Sequence, residues 1–337
     1  MRRISFEEIF GCLEKPCDTL VLFHRAPDAD AVGSAYAMKK LLEAMGSRAF
    51  CVCADELPVR LSFLMFGEQE SVLPERIPSD LSPERIVSVD TASPSQLDRL
   101  HALFGDRVDL MIDHHGKGTP YADHCVIPTA SASGEVLYEI LTMAAELCGI
   151  EFTDRINALL YTAISADTGC FRYNNATEAT YRIAADLVGR GVPAADINHK
   201  LFGIKTLKQM QVEHAGFERM NFYCDGRVAV ITFPYELKKQ YGADDEHLET
   251  LIDVARCVKG VEVAAVIKQP SAENKFRVSM RSSSDFDVSE VCAHYGGGGH
   301  VRAAGCTVTA DSILSAEMSV VVAIEHRMQD EKNKESI

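Results

Sequence analysis

The feature that most constrains the fold is a rhythm in the first half of the chain, where short apolar runs alternate with longer amphipathic ones. Strands are expected near 19 to 23, 48 to 53, 86 to 90 and 108 to 112, and helices near 31 to 45 and 134 to 148. This alternation means an α/β fold around a mainly parallel sheet flanked by helices, because parallel neighbours need a helical crossover. Helices near 153 to 166 and 177 to 190 extend the same domain, the latter opening at Thr177 and closing at Gly191. From Ile204 to Phe222 the chain is polar, helix-prone and free of proline, which reads as a helical linker. A smaller C-terminal α/β domain with a mixed sheet should follow, with a strand from Arg227 to Phe233 and a helix near 244 to 256. Strands 261 to 268 and 275 to 281 and a helix after Asp287 complete it. The expected division is 1–203, a linker 204–224, and 225–337, with the charged tail from Gln329 to Ile337 frayed.

Length and charge narrow the function classes. A chain of 337 residues can form two domains with separate cores. A net charge of −15 argues against gripping long nucleic acid, which needs many Lys and Arg to displace counterions. Any nucleic-acid substrate should be short. The eleven cysteines are scattered and odd in number, and no secretory signal is evident, so reduced thiols in the cytoplasm are expected. Cys51 and Cys53 lie in an apolar strand and read as buried thiols. No apolar run approaches the ~20 residues of a membrane span, so no membrane partner is expected.

Parallel α/β sheets place their sites at the carboxyl ends of strands. Here the residues after each apolar run are acidic or histidine. "HRAPDADAVGS" contributes His24, Asp28 and Asp30, "IVSVDTAS" contributes Asp90, and "VDLMIDHHG" contributes Asp113, His114 and His115. Asp167 follows in "YTAISADTG", at the end of a helix-like stretch. Carboxylates gathered on one rim would repel one another unless cations neutralised them. Two divalent ions balance Asp28, Asp30, Asp90 and Asp167, while His24 and His114 add neutral nitrogen donors. A mixed shell of this kind suits Mn, Fe, Co or Zn better than the all-oxygen preferences of Ca or Mg, so manganese is expected first, with Mg, Co or Fe as the alternatives. Two such ions can clamp the attacking and leaving oxygens of a phosphoryl group, which points to phosphoester hydrolysis. Each Asp alone is more often a cap or turn former; the ordered set is what carries the reading.

The triplet Asp113-His114-His115 and its accompanying motifs resemble the DHH phosphoesterase family. The similarity extends to its two-domain oligoribonucleases (nanoRNases), phosphoadenosine-phosphate phosphatases, and cyclic and linear dinucleotide phosphodiesterases. The second half agrees, because "HYGGGGHVRAAG" resembles the signature of the DHH-associated C-terminal domain. The resemblance implies His24 and Asp28 as ligands of one metal, Asp30, His114 and Asp167 as ligands of the other, and Asp90 as the bridge. It implies that His115 touches the scissile phosphate, with Asp113 orienting the histidines from behind. Two departures stand out: Ala29 occupies a position where many relatives have Gly, and Gly134 interrupts an expected Ser/Thr run containing Ser131 and Ser133.

In the second domain, the glycine run through Gly297, Gly298 and Gly299 to His300 reads as a turn that lets backbone N–H groups approach an anion or a base. Arg281 and Ser282, with Ser283 and Arg302 nearby, are candidate substrate contacts, since arginine's planar fork suits a terminal phosphate. The resemblance implies a short RNA or dinucleotide substrate such as nanoRNA or linear or cyclic di-AMP, with 3′-phosphoadenosine 5′-phosphate as a further one, and a homodimer is compatible with it. The rival readings are a family II-like inorganic pyrophosphatase, which lacks the glycine-histidine signature, and a non-catalytic nucleotide-binding regulator.

Overall fold

A computed structural model describes residues 1–66 and 71–335 and divides them into two compact units, Met1–Ile204 and Lys205–Ile337. The first unit runs α1 (Phe6–Leu13), β1 (Asp18–Leu22), α2 (Ala29–Ala44), β2 (Arg48–Val52), β3 (Arg85–Val89) and α3 (Arg99–Phe104). It continues with β4 (Leu110–Asp113), β5 (Asp123–Val126), α4 (Ser133–Cys148), α5 (Asp154–Asp167), α6 (Glu178–Gly189) and α7 (Ala194–Asn198). Its five strands are all parallel, in the order β2-β1-β3-β4-β5.

Side-chain alternation along β1 sends Leu20 and Leu22 to one face and Val21 and Phe23 to the other. The second face builds the larger core, against Tyr36, Leu41, Leu137, Ile140 and Leu160. The chain adds β2 on one side of β1 and β3 on the other, so the strand order reverses between β1 and β3. Ligands of open α/β sheets bind beyond the carboxyl ends of strands at such a reversal. His24 and Asp90 are the residues that leave this point.

The second unit runs α8 (Leu207–Phe217), β6 (Met220–Tyr223), β7 (Val228–Phe233), α9 (Tyr235–Tyr241), α10 (Leu251–Arg256), β8 (Val263–Lys268) and β9 (Lys275–Ser282). Then come α11 (Val288–His294), β10 (Gly298–His300), β11 (Ala303–Thr309) and α12 (Ile313–Glu335). Its sheet is mixed, in the order β10-β11-β9-β8-β7-β6, with only β7 and β8 parallel. One face packs on α11 and α12 and the other on α8 and α10.

The stretch read as a connector, 204–224, is divided by the fold. Its helix α8 packs on β7 and α10, and its end is the strand β6 that pairs with β7. Most of it therefore belongs to the second unit. The helix expected at 244–256 is a 3-10 turn, Glu246–Leu248, followed by the shorter α10. The tail expected to fray from Gln329 continues as α12 to Glu335, and 336–337 lie outside the described residues. No helix among the described residues is long and apolar enough to cross a membrane.

Candidate metal centre

Each expected ligand is delivered by the end of an element. His24 follows β1, and its Nδ1–H donates to the Arg25 carbonyl at 2.8 Å. That bond turns Nε2 toward Asp28, at 3.8 Å, and Asp90, at 3.5 Å. His114 follows β4, and Nδ1 lies 3.3 Å from the Ala130 carbonyl. Its Nε2 faces Asp167 at 3.2 Å, Asp90 at 3.7 Å and Asp30 at 3.8 Å. Holding Nδ1 on a carbonyl selects the tautomer whose Nε2 can bind a cation.

Asp28 caps α2, accepting from Ala31 N at 3.0 Å, so the capping role that any such Asp might have is present beside the histidine contact. Asp30 is fully buried in the first turn of α2. It accepts from Ser34 Oγ at 2.8 Å, Ser133 N at 2.7 Å and Gly134 N at 3.1 Å. The N-terminus of a sixteen-residue helix, α4, thus points at this carboxylate, a favourable place for negative charge. Asp167 has the opposite setting, at the C-terminal end of α5. Asp90 follows β3 with φ of +54°, in the left-handed region that few side chains adopt and that Asp tolerates better than most.

Two close helix contacts bring these ends together. A Cβ on Gly33 of α2 would stand 2.7 Å from the Leu159 carbonyl, and one on Gly134 of α4 would stand 2.6 Å from Ala163 Cβ. Helices α2 and α4 therefore both approach α5 to a distance that only glycine permits. This supplies a physical reason for Gly134 where a hydroxyl residue was expected.

The ligand atoms fall into overlapping sets within 4.8 Å: His24, Asp28 and Asp90; Asp30, His114 and Asp167; and Asp90, His114 and His115. Asp90 links the first and third, and lies beside His114 of the second. The electrostatics fit a cation. Burial, reinforced by Asp90 and Asp167, pushes Asp30 well above the usual carboxylate range. Burial also raises Asp167, against its contact with His114. Burial works against the charge of His24, but its contacts with Asp28 and Asp90 outweigh it and raise the imidazole well above its ordinary value. His114 is raised in the same way, chiefly by Asp167 against burial. The facing carboxylates thus favour positive charge at both histidines, the sign of charge that a metal ion would bring. The imidazole and carboxylate donors suit a first-row divalent ion.

His115 is held differently. Its Nδ1–H donates to Asp113 Oδ1 at 2.8 Å, with Asp90 Oδ1 at 3.8 Å. Asp113 is almost fully buried, and it holds His115 through this hydrogen bond. Burial opposes charge on His115, and Asp113 and Asp90 raise it. Sequence reasoning left Ser133 open; its hydroxyl donates to Asp90 Oδ1 at 2.8 Å.

In the second unit, Ala303 of β11 stands between Arg281 of β9 and His300 of β10 in the same register row. Residues in one row emerge on one face, so Arg281 and His300 share a face about 10 Å apart, two strand spacings. Ser282, the next residue along β9, faces the other way. It is buried, with its hydroxyl donated to the Ser284 carbonyl at 3.1 Å, so it does not share the face of Arg281. Ser283 likewise donates to the Val261 carbonyl at 2.7 Å, and Arg302 to exposed Asp285 at 2.6 Å. The glycine run is also corrected, because Gly298–His300 is an edge strand and not an open turn. A Cβ on Gly297 would stand 2.2 Å from the Gly305 carbonyl, and one on Gly299 2.4 Å from that of Ala303. The hairpin itself requires these two glycines, whereas Gly298 borders open space.

Comparison with known proteins agrees with this division. Residues 18–164 match the DHH family N-terminal domain and residues 225–328 match the DHHA1 domain. The chain is 27% identical over 322 residues to a bifunctional oligoribonuclease and PAP phosphatase NrnA of Thermus thermophilus, covering 95% of this chain and 93% of that one. It is 25% identical to the cyclic-di-AMP phosphodiesterase PdeA of Listeria monocytogenes, covering 96% of this chain but 50% of that protein. Its fold is shared with an exopolyphosphatase-related protein from Bacteroides fragilis, with a TM-score of 0.85 at 19% identity and 95% of each chain covered. RecJ from Thermus thermophilus, crystallised with Mn2+, aligns with a TM-score of 0.54 at 15% identity, over 95% of this chain and 55% of that one. With the two domains matched in order along 18–164 and 225–328, the chain belongs to the DHH family.

Proposed function

We propose that this DHH-family phosphoesterase hydrolyses short oligoribonucleotides or dinucleotides to mononucleotides with two divalent ions, manganese foremost, and that 3′-phosphoadenosine 5′-phosphate is a further substrate. The observation that carries this reading is the overlap of the ligand sets around Asp90. Two divalent ions, when bound, supply Lewis-acid polarisation of phosphoryl oxygens and make water acidic enough to act as a nucleophile near neutral pH. His24 with Asp28 would hold one ion, Asp30 with His114 and Asp167 the other, and Asp90 would reach both. His115, oriented by Asp113 and raised in pKa by Asp113 and Asp90 against burial, is suited to neutralise or protonate phosphate oxygens. In the second unit, Arg281, His300 and the backbone of Gly297, Gly298 and Gly299 would bind a part of the nucleotide remote from the bond that breaks.

The names of the relatives support the substrate class, and the chain's charge of −15 favours short substrates. The DHHA1 match over 225–328 speaks against the pyrophosphatase reading, and a complete ligand set against a regulator without activity. All eleven cysteines are free, in keeping with a reducing compartment. The test is a hydrolysis panel with Mn on a short oligoribonucleotide, linear and cyclic di-AMP, and 3′-phosphoadenosine 5′-phosphate. Mononucleotide release from at least one of the first three is expected; with inorganic pyrophosphate added to the panel, phosphate release from pyrophosphate alone would overturn the reading.

A further inference from the structure

We propose that Ser133 is a positioning residue for the bridging carboxylate, and that the start of α4 sets the spacing of Asp90 and Asp30 as one unit. The inference rests on the two-ion reading above. Ser133 is fully buried and makes two contacts of different kind. Its hydroxyl donates to Asp90 Oδ1 at 2.8 Å, and its backbone N–H donates to Asp30 Oδ2 at 2.7 Å. The next N–H, of Gly134, donates to Asp30 Oδ1 at 3.1 Å. One helix end thus grips carboxylates that arrive from two other elements, β3 and α2.

The geometry explains why Asp90 needs such a partner. Its Oδ2 faces His24 at 3.5 Å, while its Oδ1 faces His114 at 3.7 Å. A carboxylate that must present one oxygen to each side has a single useful rotation about its Cβ–Cγ bond, and that torsion is otherwise broad. The Ser133 hydroxyl pins Oδ1 on the His114 side and leaves Oδ2 directed to His24. Asp30, held by two backbone N–H groups, does not depend on the Ser133 side chain.

Ser131 provides an internal comparison. It is equally buried near the same helix start, but its hydroxyl donates to Glu135 Oε1 at 2.8 Å and not to a ligand. Loss of either hydroxyl should disturb the start of α4; only loss of the Ser133 hydroxyl should free Asp90.

The experiment is calorimetric titration of Mn into chelator-stripped Ser133→Ala, Ser131→Ala, Ser133→Thr and unmutated protein, with thermal unfolding of each. Ser133→Ala is expected to bind Mn about tenfold to a hundredfold more weakly, the usual effect of removing a group that orients a ligand. Ser131→Ala should keep the affinity even where its unfolding temperature falls, and Ser133→Thr, which retains a hydroxyl, should recover most of the loss. Unchanged Mn affinity in Ser133→Ala overturns the inference while leaving the two-ion reading intact. Equal losses in Ser133→Ala and Ser131→Ala also overturn it, reducing the contact to helix capping. Failure of the unmutated protein to bind Mn overturns the two-ion reading itself, and with it the role of Ser133.

Discussion

At the scale of single residues, Asp90 is the position on which most depends. It is buried, adopts a φ of +54°, and faces His24, His114 and His115 together. Asn tolerates the left-handed region and keeps the side chain's shape, so Asp90→Asn should fold normally while losing Mn and hydrolysis together. Metal analysis beside turnover decides this: two tightly held ions and a near-normal rate would remove Asp90 from the bridge. His115 should behave in the opposite way. His115→Ala is expected to slow turnover by ~10² to 10⁴ with metal content unchanged, the range for a positioned acid-base or electrostatic group. Loss of a metal in that variant would make His115 a ligand, a role for which its distance to Asp90 leaves room.

His24 and His114, raised by the carboxylates they face, keep their protons to higher pH than free imidazoles do. Metal ions take only the deprotonated ligands, so binding must displace those protons. Affinity for Mn should therefore rise with pH as the histidines lose them, by about tenfold per pH unit for each proton displaced. Titrations at a series of pH values check the sign; affinity that falls as pH rises would contradict it. Among these residues the ligand types were legible in the sequence, because His and Asp recur after each apolar run. The contact of Ser133 with Asp90 was not, since a serine before a helix looks the same whether or not a carboxylate lies above it.

At the scale of elements, four strands and the main helices of the first unit follow from the spacing of apolar residues, as do the strands Val228–Phe233, Val263–Lys268 and Lys275–Ser282 of the second. What escaped has physical causes. Strand β5, "DHCV", has too few apolar residues to show a period, and β10 is made of two glycines and a histidine. The charged tail concealed α12, whose first half nevertheless buries Ala316, Val320, Val321 and Ile324. The close approach of α2 and α4 to α5 was also invisible, because a glycine inside a helix ordinarily signals only a weaker helix. Here Gly33→Ala should force α2 away from the Leu159 carbonyl, costing about 1 to 3 kcal/mol by overpacking. Because α2 carries Asp30 and α5 carries Asp167, Mn affinity should fall as well. Unfolding and Mn titration on that variant check both, and a variant as stable as the parent with unaltered affinity would show that the contact relaxes freely.

At the scale of the whole molecule, each unit has its own sheet and core. All the candidate metal ligands lie in the first unit, whereas Arg281 and His300 share a face in the second. Arg281→Ala should raise KM for a dinucleotide by the equivalent of ~1.5 to 3 kcal/mol, the worth of a charged hydrogen bond, while metal content and the rate on a small generic phosphodiester stay near normal. Equal losses on both substrates would give Arg281 a role in the fold instead. The central claim, a two-ion phosphoesterase for short nucleotides, is tested most directly by adding Mn stepwise to chelator-stripped protein while following mononucleotide release from linear di-AMP. The account predicts no release from the stripped protein and full turnover as the second equivalent of Mn binds. Turnover undiminished by chelator, or two bound Mn ions with linear di-AMP left intact, would contradict it.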